Sequence, residues 1–432
     1  MMKKYRYLNC AFGLLAVASV LSILSCKRNV FDEEKYVEIV SQLSPVDSVE
    51  ATHTFALTTD YQVRVTANVE ADAKWLRILT GNPTEGQSAT ILAETYCADG
   101  ETVSLKFSAL STLKEFYAAL IDESEIHYTL QKFSAGTKEV DFSTPLVTRG
   151  RRNQIPVRQV YTVCYEDDQP QVEAYTYNDL VLRLSQERVG EKELSLTVSL
   201  AAVGSKKKLA AAIRLPGVLY TDIDSITTVG ERTGKGETFD RNYDPMGTKA
   251  FQQDGLLMQA NKTNEAVVRL FEDAHWAIDP TLTRDYGMMT RKRYNVSPTT
   301  SDEFELTVPN TITYHIFFKD GSAINNLCLD TIDPFVVYEY NGSFWEIHLH
   351  SYQGGEVFYE YPMIQSVKLL PWAILVPKGD FRYPRTGYEI GYYKDGALFG
   401  TYMTKGHSFG EWVVDHTASV DWYEYPTLNM AF

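Results

Sequence analysis

The pentapeptide Gly406-His407-Ser408-Phe409-Gly410 has the G-x-S-x-G spacing that, in many lipases and esterases, sets a serine nucleophile on a strained strand-to-helix turn. Such a serine needs a general base, an acid to orient that base, and an oxyanion hole. The context supplies none of these. Residues 398–405 lack the Val/Ile-rich run of a strand covered on both faces. Asp415 and His416 fall too close behind the serine to leave room for further strand–helix units. Gly406 and Gly410 are therefore read as turn residues, and a serine-hydrolase role is set aside. A second set, Glu346, His348 and His350, recurs at alternate positions, which puts all three on one face of a strand. Imidazole and carboxylate in that arrangement suit Zn²⁺. Yet Ile347 and Leu349 between them read as the core side, which leaves the polar three facing solvent.

A third stretch carries more weight. Glu166, Asp167 and Asp168 precede a loop, and Asn178-Asp179 lead directly into the run Leu180-Val181-Leu182. Hard oxygen donors gathered on loops are what Ca²⁺ takes, six to eight at a time. The competing role is a turn in which Asp and Asn side chains satisfy backbone amides.

The N-terminal residues address the chain. Lys3, Lys4 and Arg6 form a basic head, followed by an apolar run from Ala11 to Leu24, the pattern of an export signal over residues 1–25. The run is shorter than the roughly 20 residues that span a bilayer. It ends in Ile23-Leu24-Ser25-Cys26, which resembles a bacterial lipobox and implies cleavage before Cys26 and acylation of that residue. Several acyl chains on one cysteine give stable attachment to a lipid bilayer, at about 0.8 kcal/mol per buried methylene. Residues 26–45 then read as a tether. Removing the three basic residues with the signal leaves 38 basic against 56 acidic residues, a charge of −18. Nucleic acid and anionic lipid surfaces are poor partners for such a chain. Beyond Cys10 and Cys26, the remaining Cys97, Cys164 and Cys328 cannot all pair, and their apolar surroundings suggest buried free thiols.

Holding any loop site requires a scaffold, and the patterning predicts a mainly β one. Seven short extended runs between Tyr61 and Phe142 suggest a small immunoglobulin- or fibronectin-like β-sandwich over 46–148. A basic linker with Arg149, Arg151 and Arg152 follows at 149–156. Residues 157–432 again read as strands, forming a larger, jelly-roll-like β-sandwich domain with one or two short helices. One helix is expected where Ala266, Val267, Leu270, Phe271 and Ala274 repeat at helical spacing, with Thr263 or Asn264 as its cap.

The acidic stretch also carries a resemblance. Glu166-Asp167 followed by Ala174-Tyr-Thr-Tyr-Asn178-Asp179 resembles the acidic pair and the aspartate-rich stretch of the LruC domain-containing lipoproteins of Gram-negative bacteria. Further matches follow in order: 213–217, 270–275, 333–337 with 346–349, 370–384, and the aromatic segments Phe409–Trp412 and Asp421–Pro426. The resemblance implies an all-β C-terminal domain of unknown function on an outer-membrane lipoprotein. Where that family often has two further aspartates this chain has Ala174 and Thr176, which leaves Glu166, Asp167, Asn178 and Asp179 as the candidate Ca²⁺ ligands. The expectation is a noncatalytic envelope module, with an envelope protein or a glycan as partner. A glycan-binding or fimbria-associated adhesion lipoprotein is the alternative. A glycoside hydrolase is less favoured, because its two carboxyls must face each other across a cleft.

Overall fold

The structure is a computed structural model. It describes residues 49–432 except 68–72, 87, 123–127, 143–145, 149–154, 169–174, 233–248, 280–281, 283–291, 297–303, 353–355, 360–369, 392–398 and 401–406. The chain divides into Met1–Ser44 and a compact unit, Pro45–Phe432. The export signal, Cys26, the tether and most of the basic linker lie outside the described residues. Within the compact unit the fold is mainly β and sandwich-like, as expected.

The first sandwich is built from β1 (Thr58–Thr66), β2 (Ala73–Leu79), β3 (Thr90–Tyr96), β4 (Thr102–Leu110), β5 (Glu115–Asp122), β6 (Tyr128–Ser134), β7 (Glu139–Asp141), β8 (Leu146–Thr148) and β9 (Val157–Arg158). A three-stranded sheet, β4-β1-β7, faces a six-stranded one, β8-β6-β5-β2-β3-β9. Alternation decides which face is covered: in β3 every second residue is buried. Val63, Val65, Leu76, Ile78, Leu105, Phe107, Phe116 and Leu120 meet in the core between the sheets.

The second, larger part contains β10 (Val160–Tyr165), β11 (Leu180–Gly190), β12 (Glu193–Val203), β13 (Leu209–Leu219), β14 (Ile223–Arg232), β15 (Leu257–Gln259), β16 (Glu265–Phe271), α1 (Ala274–Ile278), β17 (Arg293–Asn295), β18 (Phe304–Leu306), β19 (Asn310–Phe318), β20 (Asp333–Tyr340), β21 (Ser343–Ile347), β22 (Ala373–Val376) and α2 (Phe409–Val414). An eight-stranded sheet has the order β14-β19-β12-β11-β10-β22, with β17 and β18 added beside β12. It packs on a five-stranded sheet, β15-β16-β13-β20-β21, through Leu182, Leu196, Val198, Ile213, Leu215, Leu270, Tyr314 and Val336.

Both sheets are also covered on their outer faces. Cys164, Val181, Ile374 and Val376 lie under a layer made by Tyr175 and Tyr177 with the C-terminal Phe381, Phe399, Phe409, Trp412 and Trp422. Ala210, Ala212, Val267 and Val337 lie under Phe251, Met258 and Val357. Strands buried on both faces lose their alternation, and this overturns the expected helix at 266–274. Glu265–Phe271 is strand β16, buried from Ala266 onward. Only Ala274–Ile278 is helical, capped by Asp273, whose carboxylate accepts from the His275 amide at 2.9 Å. Asn264, with φ of 58°, turns the chain between β15 and β16 and does not cap a helix.

Two contacts tie distant segments together. On β3, Glu94 accepts from Arg77 Nε at 3.0 Å, from Arg158, and from the Arg188 amide at 2.9 Å. The buried Arg188 guanidinium donates to Thr95 Oγ1 at 2.8 Å, to Asn325, and to the carbonyls of Glu191 and Gly321. At the other end, the Glu50 amide donates to the Val413 carbonyl at 2.9 Å, and the Glu50 carboxylate meets His416 Nδ1 at 2.8 Å. Nearby, His53 Nε2 meets the Trp412 carbonyl at 2.9 Å.

Arg188→Met keeps most of the side-chain volume and strips donors from several buried acceptors, each costing about 1–3 kcal/mol when left unpaired. A loss of roughly 3 kcal/mol or more in urea unfolding is expected. A loss under about 1 kcal/mol would show that this guanidinium does not hold the two sandwiches together.

Candidate metal centre

The acidic stretch folds into one end of the eight-stranded sheet. Glu166 follows β10 and is held in line by its amide, which donates to the Trp372 carbonyl at 2.9 Å. Its Oε2 accepts from the amides of Thr176 at 2.8 Å and Tyr177 at 3.2 Å, and from Thr176 Oγ1 at 3.2 Å. Tyr177 adopts a left-handed backbone, φ 46°, an uncommon conformation for a bulky residue and one that gathers at functional sites. Asp179 Oδ2 accepts from the Asp167 amide at 2.8 Å, and the Asp179 carboxyl lies within hydrogen-bond reach of Glu166. Gly204 closes the site from below: a Cβ there would sit 2.3 Å from the Asn178 carbonyl oxygen, so only glycine fits.

The four expected ligands therefore divide. Glu166 and Asp179 converge, and Asp168 joins them, with ligand oxygens of all three within 4.8 Å of one another. Asp167 turns away to Ser205 and Lys207, the latter with Nζ 3.1 Å from Oδ1. Asn178 spends its amide on the Pro384 carbonyl at 2.9 Å. Thr176 supplies a hydroxyl donor to Glu166. His275 Nε2 meets the Ser205 carbonyl at 3.0 Å and steadies the Gly204–Ser205 turn. Burial, then the charges of Asp179 and Asp168, push the Glu166 carboxyl well above its usual range. Burial and Asp167 raise Asp179 to about 8. Two carboxyls at this separation share either a proton or a cation.

Two other buried glutamates show what is different here. Glu272 Oε2 accepts from the amides of Ala250 at 2.9 Å and Phe251 at 3.4 Å, and faces Arg269 at 3.4 Å. Glu346 accepts from the amides of Val357, Phe358 and Tyr359 at 2.8–3.3 Å, and faces His348 at 3.3 Å. Each has a basic side chain against it. Glu166 has acids against it, which is the donor set of a hard divalent ion.

The solvent-facing reading of Glu346 and His348 is overturned: both are fully buried, as are Ile347 and Leu349. The strand ends at Ile347 and lies under a further layer, so alternation no longer reports exposure. His348 Nδ1 lies 3.0 Å from both oxygens of Asp333, which Arg214 grips at 2.9 Å, and its ring stacks on Phe335. His350 leaves this face and packs against Phe55. The arrangement is a closed ion network and not a zinc site. Ser408 is also buried and caps α2, accepting from the Glu411 amide at 3.4 Å, while His407 turns to Asp421 at 3.0 Å. Gly410 lies inside α2 and is no turn residue; Gly406 is outside the described residues. Cys97, Cys164 and Cys328 are free and buried, as expected.

Burial alone would lower the His348 pKa, but Asp333 and Glu346 outweigh it and hold it at about 9. A basic group raised in the fold stabilises fully below its unfolded value, near 6.5, and that stability is lost as pH rises through 9. The difference is worth roughly 3 kcal/mol. His348→Gln should therefore destabilise most at pH 6 and much less at pH 10 in denaturant unfolding. A penalty independent of pH would refute the charged pairing.

No curated protein matches this chain. Among solved structures, it is similar to a candidate lipoprotein from Bacteroides ovatus, at 14% identity over 84% of this chain and 99% of that one, with a TM-score of 0.44. It is also similar to the major pilin subunit of Bacillus cereus, at 8% identity over 67% of each chain, with a TM-score of 0.16. Residues 192–413, which include β12 to β22 and most of α2, match the model of a domain of unknown function, DUF4842. With over half of its length matched, the chain belongs to the DUF4842 family.

Proposed function

We propose that this protein is a noncatalytic lipoprotein of the outer membrane, with an LruC-type C-terminal domain, acting as a structural or interaction module of the cell envelope. The observation that carries this reading is the inward turn of its chemistry. Glu166, Glu272 and Glu346, with the groups around them, are sealed in the sandwich and spend their oxygens on the backbone of crossing loops, which is bracing and not turnover. Cys26 lies in the segment ahead of the compact unit, where acylation would attach the chain to a bilayer. Among the described residues no helix is long and apolar enough to cross a membrane. The fully buried Trp372, Trp412 and Trp422 serve the core, which removes them from any glycan-stacking surface.

Within this reading the Glu166–Asp168–Asp179 cluster takes Ca²⁺ as a structural ion. Without it, the raised Asp179 keeps its proton. Its share of stability is then present below its unfolded pKa, near 4, and is lost as pH rises through about 8. Calcium replaces the proton and removes that loss.

Two experiments test these statements. Cys26→Ala should move the protein from the membrane pellet to the soluble fraction and abolish palmitate labelling; continued pelleting with label would end the lipoprotein reading. For the ion, unfolding of the chelated protein should weaken from pH 7 to 9, and millimolar Ca²⁺ should flatten that slope. Asp179→Asn should be insensitive to Ca²⁺ at this site. An unchanged slope in wild type would leave the cluster as a proton-sharing pair.

A further inference from the structure

Three imidazoles, His53, His350 and His416, meet where the chain enters its compact unit, apart from the acidic centre. His53 is buried. Its Nε2 lies 2.9 Å from the Trp412 carbonyl, which can only accept, and its Nδ1 lies 2.9 Å from the Phe55 amide, which can only donate. The ring is therefore fixed as the neutral tautomer with its proton on Nε2. A second proton has one place to go, Nδ1, and there it would face the Phe55 N–H. Phe55 itself holds φ at 53°, a left-handed backbone that a bulky residue takes only when its surroundings compel it. The bond to His53 does so, together with the packing of the Phe55 ring against His53, His350 and Trp412 at centroid distances of 4.4, 5.2 and 6.1 Å.

The titratable groups facing His53 are Glu50 on its own segment, His416 just beyond α2, and His350 just beyond β21. Asp415 stands beside Glu50 and His416. Glu50, held down at about 2 by the His416 amide and ring, stays a carboxylate throughout mild acid and favours a proton on His53. Burial opposes that proton and prevails over both the Trp412 carbonyl and Glu50, so His53 lies below its ordinary 6.5. Burial lowers His350 as well. We propose that the contact of residues 50–57 with α2 is an acid-operated latch: protonation of His53 at Nδ1 breaks its bond to Phe55, lets the Phe55 backbone leave its left-handed turn, and frees the segment from Trp412. A base held below its unfolded value stabilises the closed form fully above 6.5 and loses that share as pH falls from there through the folded value. Opening is favoured about tenfold for each pH unit in that window, and further where His350 takes its proton too. The open form uncovers Phe55 and the faces of His350 and Trp412 against it, while the sheet ladders, which make no use of His53, stay closed.

Hydrogen exchange of the full chain in detergent, followed by mass spectrometry and corrected for the intrinsic pH dependence of exchange, reads the latch through the amides of residues 50–57. From pH 7 to pH 5 their protection should fall about tenfold, while β11 and β12 keep theirs. His53→Gln offers the same acceptor and donor without a titrating group, and should hold its protection at pH 5. No loss in wild type, or an equal loss in wild type and His53→Gln, would overturn the proposal. Where His53→Gln fails to close at pH 7, NMR titration of the wild-type imidazoles decides. His53 should then protonate below 6.5, with the Phe55 amide shifting at the same midpoint. Titration of His53 at or above 6.5, or a Phe55 amide that does not follow it, would overturn the latch.

Discussion

A carboxylate brought into an apolar interior has to be given hydrogen bonds, and this fold uses that requirement as its fastening. Glu166, Glu272 and Glu346 each reach out of a strand or its end and collect two or three amides from a loop that crosses the sheet. The loops have no ladder partners of their own at those points. One side chain therefore satisfies several backbone donors at once and fixes the path of the loop over the layer beneath. The large sheets can be covered on both faces because their covering segments are fastened in this way.

The same device explains why charge and fold are tightly linked in the C-terminal region. Arg269 and His348 complete two of the three fastenings, and Asp333 and Arg214 extend one of them into a closed set. The third is surrounded by acids, so its completion is left to a proton or an ion. Segments distant in sequence converge on these points: 166–179 and 270–275 at Glu166, and 213–217, 333–337 and 346–349 at Glu346.

Much of the scaffold was legible in the sequence, and the failures share a cause. Runs such as β3 and β4 of the first sandwich appear as strands because one face is covered and the other is not, so alternation survives over most of their length. In β16 it does not, and a fully buried Ala-Val-Val-Arg-Leu-Phe run satisfies a helical period by coincidence. The alanine-rich β13 was invisible for a related reason: small residues with low strand propensity suit a position pressed between two layers. Burial of Glu346 and His348 depends on a layer contributed from residues 357–359, which no local pattern announces. For the candidate centre, composition pointed to Glu166 and Asp179, whereas the choice of Asp168 over Asp167 is set by Lys207 and Ser205 arriving from the next strand connection.

The clasp of Glu50 and His53 on Val413, Trp412 and His416 has a mechanical consequence. The chain enters its compact unit by binding to the last helix before it begins the first sandwich. Tension applied from the N-terminal side is received by that helix and the tryptophan cluster behind it. The first sandwich, though next in sequence, lies off the load path. Its strands are shielded from shear until the clasp opens, so under force the clasp yields before the first sandwich is loaded.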